Sequence, residues 1–425
     1  MPGLGWRKTD GMVVDENGRD IMSITISFNR NTCIKNEPII IYGASVYGEL
    51  AFVALKKIGY FPDYYCDKSE SRKKYFGVEV IQPKCLAELT HANIIIASAD
   101  FFYEIKRELE EIGCHNLFDM SELLNMELPK EFLSNRAKEM YDNKRNYLDI
   151  VRNQSEEKVI FNRIQFVVSE RCSLKCKDCS HLMQYYQCPQ DIDLCKYKKS
   201  FDLLMKVVDC IAELRILGGE PFMNSKMNQV IEWYHDNDKV QSISVYTNGT
   251  IIPNDAILRS LQREKVKVHV SNYKINEEKI EKLLPILDEN HIKYFVREYD
   301  AWQEAGGVEC RGYSTEQKKK LFSRCFERNG YTFLKGRLHR CPRVAHAMNL
   351  KAMPDVKEDY INLQHWMGTE NELRQQLKIL QDRLWLEGCN YCGGPDNHVQ
   401  SIPAGRQISK PIMYEIIDAV NEERQ

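Results

Sequence analysis

The sequence predicts an α/β chain built on parallel sheets, and three observations carry that reading. Short apolar runs alternate with longer amphipathic stretches through most of the chain, which is the pattern of repeated strand–helix units. Several runs end in glycine-rich turns, such as Gly43-Ala-Ser-Val-Tyr-Gly48 and Gly218-Gly219. After about residue 310 the pattern changes to a short hairpin and scattered helices.

Residues 1–36 are polar, lack clear periodicity and are read as a lead segment. An apolar run at Ile39–Tyr42, the glycine turn, a helical stretch and a strand at 63–66 open a βαβ unit. "VEVIQP" and "ANIIIASA" are further strands, with helical "YEIKRELEEIG" after them. This gives a Rossmann-like domain over 37–125, followed by a charged helical linker over 126–157. Strands are next expected at 164–169, 213–217, 242–246, 266–271 and 293–297, with helices such as "YKKSFDLLMKVVDCIA" and "NEEKIEKLLPIL" between them. That region, 158–310, is a parallel sheet, open or curled into a barrel. "YTFLKGRLHRC" is a hairpin turning at Lys335-Gly336 inside a small module over 311–400. Residues 401–425 form a tail whose end, "YEIIDAVNEERQ", is expected to be helical.

The 425 residues suit two or three domains at ~100–200 residues each. A hydrophobic fraction of 43% is enough for real cores, and 28% charged residues fit a soluble surface. A net charge of −2 leaves no basic excess for phosphates, so no nucleic-acid partner is expected. No apolar run reaches the ~18 residues of a membrane span, and the N-terminus is unlike a secretory signal. A cytoplasmic location is expected. The 15 cysteines are then thiols rather than disulfides, and clustered ones bind metal or do chemistry.

The densest cluster is "CSLKCKDC", with Cys172, Cys176 and Cys179 spaced C-x3-C-x2-C directly after the strand "IQFVVS". Active sites of parallel α/β folds gather at such strand ends. A structural zinc site takes four protein ligands, so zinc requires His181 as the fourth. A [4Fe–4S] cluster on three thiolates leaves one iron open to a ligand that is not protein.

With these residues the sequence resembles the radical S-adenosylmethionine (SAM) enzymes. Gly218-Gly219-Glu220 in "RILGGEPF" is similar to the family's GGE segment, and Thr247-Asn248 in "VYTNGT" to its TNG segment. The resemblance covers residues 160 to about 300. It implies a central partial (β/α)6 barrel and a [4Fe–4S] cluster on Cys172, Cys176 and Cys179. It also implies that SAM is bound by its amino and carboxylate groups, with Glu220 facing the ammonium and Ser271 and Asn272 the ribose. Reduction, by a donor such as flavodoxin or ferredoxin, cleaves SAM, and the resulting 5′-deoxyadenosyl radical takes hydrogen from a substrate. The cofactor carries that chemistry and the protein positions it.

Cys325 and Cys341 flank the hairpin, and Cys389 and Cys392 form a C-x2-C pair. They resemble the auxiliary module, called a twitch domain, that follows some radical SAM barrels. The resemblance implies a second [4Fe–4S] cluster; a four-cysteine zinc site takes the same ligands. Most of the other eight cysteines (33, 66, 85, 114, 188, 195, 210 and 310) are expected to be small core residues. Cys310 is the exception, as a thiol able to give hydrogen to a substrate radical; Cys188 and Cys195 are more remote possibilities.

"GASVYG" is an imperfect G-x-G-x-x-G, with Ser45 where a glycine lets backbone approach a pyrophosphate, and Asp67 stands where a ribose-binding acid would be. Packing and nucleotide-sugar binding are both open for this domain. Trp302, His339 and His346 are expected in core or surface roles. The leading expectation is a radical SAM enzyme that oxidises or epimerises a carbohydrate-type small molecule, including nucleotide-linked sugars. Peptide modification is the second, and a non-catalytic metal-binding protein the third.

Overall fold

The computed structural model describes residues 7–9, 12–14, 20–21, 26–69, 72–99, 101–142, 144, 147–148, 151, 158–395 and 399–417. It divides into two units, Met1–Glu157 and Lys158–Gln425.

In the first unit the lead segment holds strands that its sequence did not reveal. β1 (Arg7–Thr9), β2 (Met12–Val14) and β3 (Asp20–Ile21) form an antiparallel sheet, and such short strands show no period. The main sheet comprises β4 (Ile26–Ser27), β5 (Ile39–Tyr42), β6 (Tyr64–Cys66), β7 (Lys74–Tyr75), β8 (Val78–Ile81), β9 (Asn93–Ile96) and β10 (Leu117–Asp119). Its order is β4-β10-β9-β5-β6-β8-β7, and only the β7–β8 pair is antiparallel. All four residues of β5 are buried, as a central strand covered on both faces requires. The strand order reverses between β5 and β9, beside the glycine turn.

That turn closes on itself. Gly43 has φ 116°. A Cβ on Gly48, in helix α1 (Val46–Lys57), would lie 2.0 Å from the Gly43 carbonyl oxygen. Asp67 accepts from Ala44 N at 2.8 Å and from Ser69 N at 2.9 Å, so both carboxylate oxygens serve the local backbone. Helix α2 (Phe102–Ile112) follows β9 as expected. α3 (Ser121–Asn125) closes the expected domain, the charged stretch after 125 contributes α4 (Asn135–Asp142), and Glu49 of α1 accepts from Ser134 N and Oγ.

The second unit alternates β11 (Ile160–Ser169), α5 (Leu194–Val207), β12 (Cys210–Gly218), α6 (Asn228–Tyr234), β13 (Ile243–Thr247), α7 (Asp255–Leu261), β14 (Val266–Asn272), α8 (Glu277–Glu289) and β15 (Tyr294–Glu298). The helix expected to run through "VVDCIA" stops at Val207. Asp209 accepts from Val159 N and pairs with Arg374, turning the chain so that Cys210 pairs with Ile160. In β14 the residues alternate: Val266, Val268 and Val270 are buried, while Lys267, His269 and Ser271 are half-buried on the other face.

The hairpin β17 (Tyr331–Leu334) and β18 (Arg337–His339) turns at Lys335 and Gly336, with φ of 48° and 80°. The φ signs are those of a two-residue primed turn. The chain reaches it through β16 (Ala301–Gln303) and α9 (Thr315–Arg324). β17 lies parallel to β11, so the hairpin extends the main sheet, whose order is β15-β14-β13-β12-β11-β17-β18-β19, with β19 at Tyr360–Asn362. The run β15 to β17 is parallel throughout. Sequence reading assigned the hairpin to the module after 310. Pairing through Ile164↔Tyr331 and the packing of Phe166, Phe201 and Phe333 tie it to the central sheet.

Helices α10 (Pro342–Asn349) and α11 (Glu370–Gln381) complete the unit, and β20 (Ser401–Pro403) pairs with β16. Of the helix expected over 414–425, residues 414–417 are not helical and the rest lie outside the described residues. No helix among the described residues is long and apolar enough to cross a membrane.

Candidate active site

The loop after β11 carries Cys172, Cys176 and Cys179. Burial pushes all three thiols up, Cys176 to about 12; Cys179 pushes Cys172 and Cys176 further up, and Cys176 does the same to Cys172. They therefore share one small space. N–H donors face each sulfur: Asn248 Nδ2 at 3.6 Å from Cys172, Gln407 Nε2 at 3.2 Å from Cys176, and the Met183, His181 and Leu182 amides toward Cys179. Leu182, at φ 60°, bends the chain so that these successive amides converge. These N–H donors favour the charged sulfur and offset part of that rise.

Among the described residues, no group of three or more His, Cys, Asp or Glu side chains is arranged to grip one metal ion. A [4Fe–4S] cluster takes each thiolate on a separate iron, and this donor set fits it. His181 is a poor fourth ligand for zinc. Its Nε2 lies 3.1 Å from Gln165 Oε1 and its Nδ1 3.5 Å from Ser180 Oγ.

Gly218 and Gly219 press the end of β12 against this loop. A Cβ on Gly218 would sit 2.2 Å from the Ser169 oxygen; on Gly219, 2.3 Å from the Arg171 oxygen and 2.8 Å from Cys172 Cβ. Only glycine permits that approach. Glu220 is fully buried, and its carboxylate accepts from Phe222 N (3.1 Å), Thr247 Oγ1 (2.7 Å) and Asn248 N (2.8 Å). Burial raises it to about 7 despite these bonds. Expected to face a ligand ammonium, the carboxylate is turned inward and joins the glycine segment to the Thr247-Asn248 turn. Asn248 in turn reaches Ser173 Oγ at 3.1 Å as well as Cys172.

At the end of β14, Asn272 is buried and accepts from Lys274 N, while the Ser271 carbonyl accepts from Asn276 Nδ2. Asn276 also donates to the Asn248 carbonyl, linking the ends of β13 and β14. Sequence reading missed Asn276 and Gln407. Asn276, at the N-terminal boundary of a charged helix, carried a weak signal; Gln407, in an unpatterned tail, carried none.

Cys325, Cys341, Cys389 and Cys392 also come together. Cys325 feels Cys341 and Cys392, and Cys389 feels the same two; burial pushes Cys325 and Cys389 up, and Cys341 to about 12. Glu327 N donates to Cys325 Sγ at 3.4 Å, Gly394 N to Cys392 Sγ at 3.3 Å, and the Val344 and Arg343 amides face Cys341. Asp359 holds the 387–388 turn by accepting from Glu387 N and Gly388 N.

Cys310 is exposed, and its sulfur accepts from Asn390 Nδ2 at 3.2 Å, beside the second cysteine group. Of the eight cysteines expected mostly in the core, only Cys66, Cys114 and Cys210 are buried; Cys33 is half-buried, and Cys85, Cys188 and Cys195, like Cys310, are exposed, because they fall on loops and helix faces outside the sheets. His339 and His346 are core residues, and Trp302 packs edge-on against Tyr273.

One polar patch on the sheet lies opposite the helices. Arg215 Nε pairs with Glu213 at 2.7 Å, and the Arg215 guanidinium lies over the Tyr246 ring. Tyr246 stacks on His269 at 4.5 Å and His269 on Phe295 at 5.6 Å. Burial lowers His269 to about 4, so its ring is neutral near pH 7.

No family model matches this chain, and no curated protein does. It is similar to solved structures at low identity. One is native anSMEcpe with bound AdoMet, at TM-score 0.36 and 12% identity, covering 55% of this chain and 88% of that one. Another is SuiB of Streptococcus suis bound to S-adenosylmethionine, at TM-score 0.29 and 15% identity, covering 53% of this chain and 49% of SuiB, about half its length. A third is BtrN in complex with AdoMet and 2-DOIA, at TM-score 0.32 and 15% identity, covering 56% and 94%. All three of these solved structures hold AdoMet, which is S-adenosylmethionine.

Proposed function

We propose that this protein is a radical SAM enzyme acting on a carbohydrate-type small molecule, with a second [4Fe–4S] cluster on Cys325, Cys341, Cys389 and Cys392. The observation that carries the reading is one hydrogen-bonded assembly: the three-cysteine loop, Gly218-Gly219-Glu220 and Thr247-Asn248, joined at the ends of β11, β12 and β13 through Glu220 and Asn248. The cluster with SAM supplies the radical that takes hydrogen from carbon. The chain's own part is to hold three thiolates under N–H donors, keep Glu220 buried as the pin of the site, and shield the loop from water.

The substrate class is supported by the polar patch. Its Arg215–Glu213 pair compensates its own charge, His269 is neutral, and Tyr246, His269 and Phe295 offer stacked rings. A polyhydroxylated ring suits stacked rings flanked by fixed hydrogen-bonding groups. Cys310, beside the second cysteine group, is proposed as the thiol that separates inversion from oxidation. If the reaction is epimerisation, Cys310→Ala abolishes turnover but not SAM cleavage; if it is oxidation, turnover survives.

The test is an anaerobic reconstitution with iron counting, followed by dithionite and SAM. Two clusters predict about eight irons per chain, about four in the Cys172/Cys176/Cys179→Ala protein, and 5′-deoxyadenosine only from wild type. Absence of iron and of SAM cleavage overturns the reading. Neutral sugars and nucleotide-linked sugars are then compared with peptides for substrate-dependent hydrogen transfer; turnover of peptides alone replaces the carbohydrate proposal with peptide modification.

A further inference from the structure

The backbone of the three-cysteine loop is not satisfied by the loop itself. Lys177 N donates to the Arg406 carbonyl at 2.7 Å, Ile408 N donates to the Lys175 carbonyl at 2.8 Å, and Lys175 N donates to Gln407 Oε1 at 2.7 Å. Cys176 and Gln407 face one another as an antiparallel bridge. All these partners lie in one extended segment that follows β20, more than two hundred positions away in sequence.

This segment is held at both ends. Gly405, at φ 69°, passes so close to Tyr273 that a Cβ would lie 2.8 Å from Tyr273 Cβ. Further on, Ile412 N donates to the Gln184 carbonyl at 2.8 Å, and Tyr414 packs edge-on against Tyr185. The Gln407 amide has its orientation set by three partners. Its nitrogen donates to the Gly405 carbonyl at 2.6 Å and to Cys176 Sγ at 3.2 Å, while its oxygen accepts from Lys175 N. A flipped amide would set oxygen against oxygen and N–H against N–H.

We infer that Gln407 is a positioning residue for the first cluster: its oxygen fixes the backbone of the cysteine loop and its N–H, bonded to the Cys176 sulfur, sets the reduction potential of the group held there. The assignment rests on the proposed cluster at Cys172, Cys176 and Cys179. Hydrogen bonds to ligand sulfurs raise the potential of an iron–sulfur cluster by stabilising the more negative reduced state. Gln407 itself is exposed, so replacing it leaves the core intact.

Two variants separate the two roles. Gln407→Glu keeps an acceptor for Lys175 N and loses the donor to sulfur; Gln407→Leu loses both. In the metal-free chain, amide exchange at Lys175 should quicken about tenfold in Gln407→Leu and stay near wild type in Gln407→Glu. After reconstitution, the potential of the three-thiolate cluster, read by EPR titration, should move negative in both variants, while that of the four-thiolate cluster stays. An unchanged potential in Gln407→Glu at wild-type iron content, or unchanged exchange in Gln407→Leu, overturns the assignment. No iron in the wild type sinks the family reading and the tuning role together, and is told apart because the wild type fails too.

Discussion

The two cysteine groups of the second unit are built in opposite ways. Cys172, Cys176 and Cys179 lie in one loop, and local amides face Cys172 (Leu174) and Cys179 (His181, Leu182, Met183), yet the side-chain donors to Cys172 and Cys176 come from afar, from Asn248 and Gln407. Cys325, Cys341, Cys389 and Cys392 are spread over the last third of the chain, yet donors to Cys325, Cys341 and Cys392 come from residues two or three positions away. A site made of contiguous ligands needs tertiary contacts to shape its surroundings. A site made of dispersed ligands brings its surroundings with each ligand and needs tertiary contacts only to converge.

The contrast is broken most sharply by removing ligands. Cys176→Ala should abolish SAM cleavage and lose about four irons. Cys341→Ala should lose a similar amount but leave SAM cleavage measurable, and equal loss of cleavage in both proteins would mean the two groups form one functional unit.

The next effect is steric and largest in the first group. Gly219→Ala places a methyl where the Arg171 carbonyl lies 2.3 Å away, and should destabilise the second unit by about 1–3 kcal/mol, read by denaturant unfolding. Gly388→Ala meets Val344 Cγ2 at 2.3 Å, a side chain that can move, so a smaller loss is expected there.

A pH effect tests the far side of the sheet. Burial lowers His339 to about 3, and its Nδ1 has no hydrogen-bond partner among the described residues. Its folded value lies below the unfolded one, so the unfolded chain binds the proton first and stability is lost as pH falls below about 6.5. His339 alone should cost about 2 kcal/mol between pH 7 and pH 5, and His339→Phe should flatten that part of the profile. A profile identical to wild type would place the titration elsewhere. The smallest effect is expected from Cys310→Ala: its exposed sulfur should leave iron content and the unfolding midpoint unchanged.

Much of the fold was legible because period and punctuation are local. The strands at Ile39–Tyr42, Ile160–Ser169 and Ile243–Thr247 announce themselves as apolar runs, and Gly336 marks the hairpin. The helix that stops at Val207 was overestimated because Cys210-Ile211-Ala212 suits a helix as well as a strand, and only pairing with β11 decides. A helix is expected over 414–425, but residues 414–417 form none: Ile417 N and the Tyr414 hydroxyl donate instead to the Lys351 and Leu350 carbonyls.

By itself, the sequence determined the proposed ligands: seven clustered cysteines, two glycines that tolerate close approach, and the order of strands that carries them. Those are properties of residue type and neighbour, which do not depend on the rest of the chain. Only the tertiary structure decided that β17 joins β11, that Glu220 turns inward to Thr247 and Asn248, and that Gln407 returns to Cys176. Each of these satisfies a buried or half-buried polar group with a partner distant in sequence, and which partner arrives is set by packing rather than by local pattern.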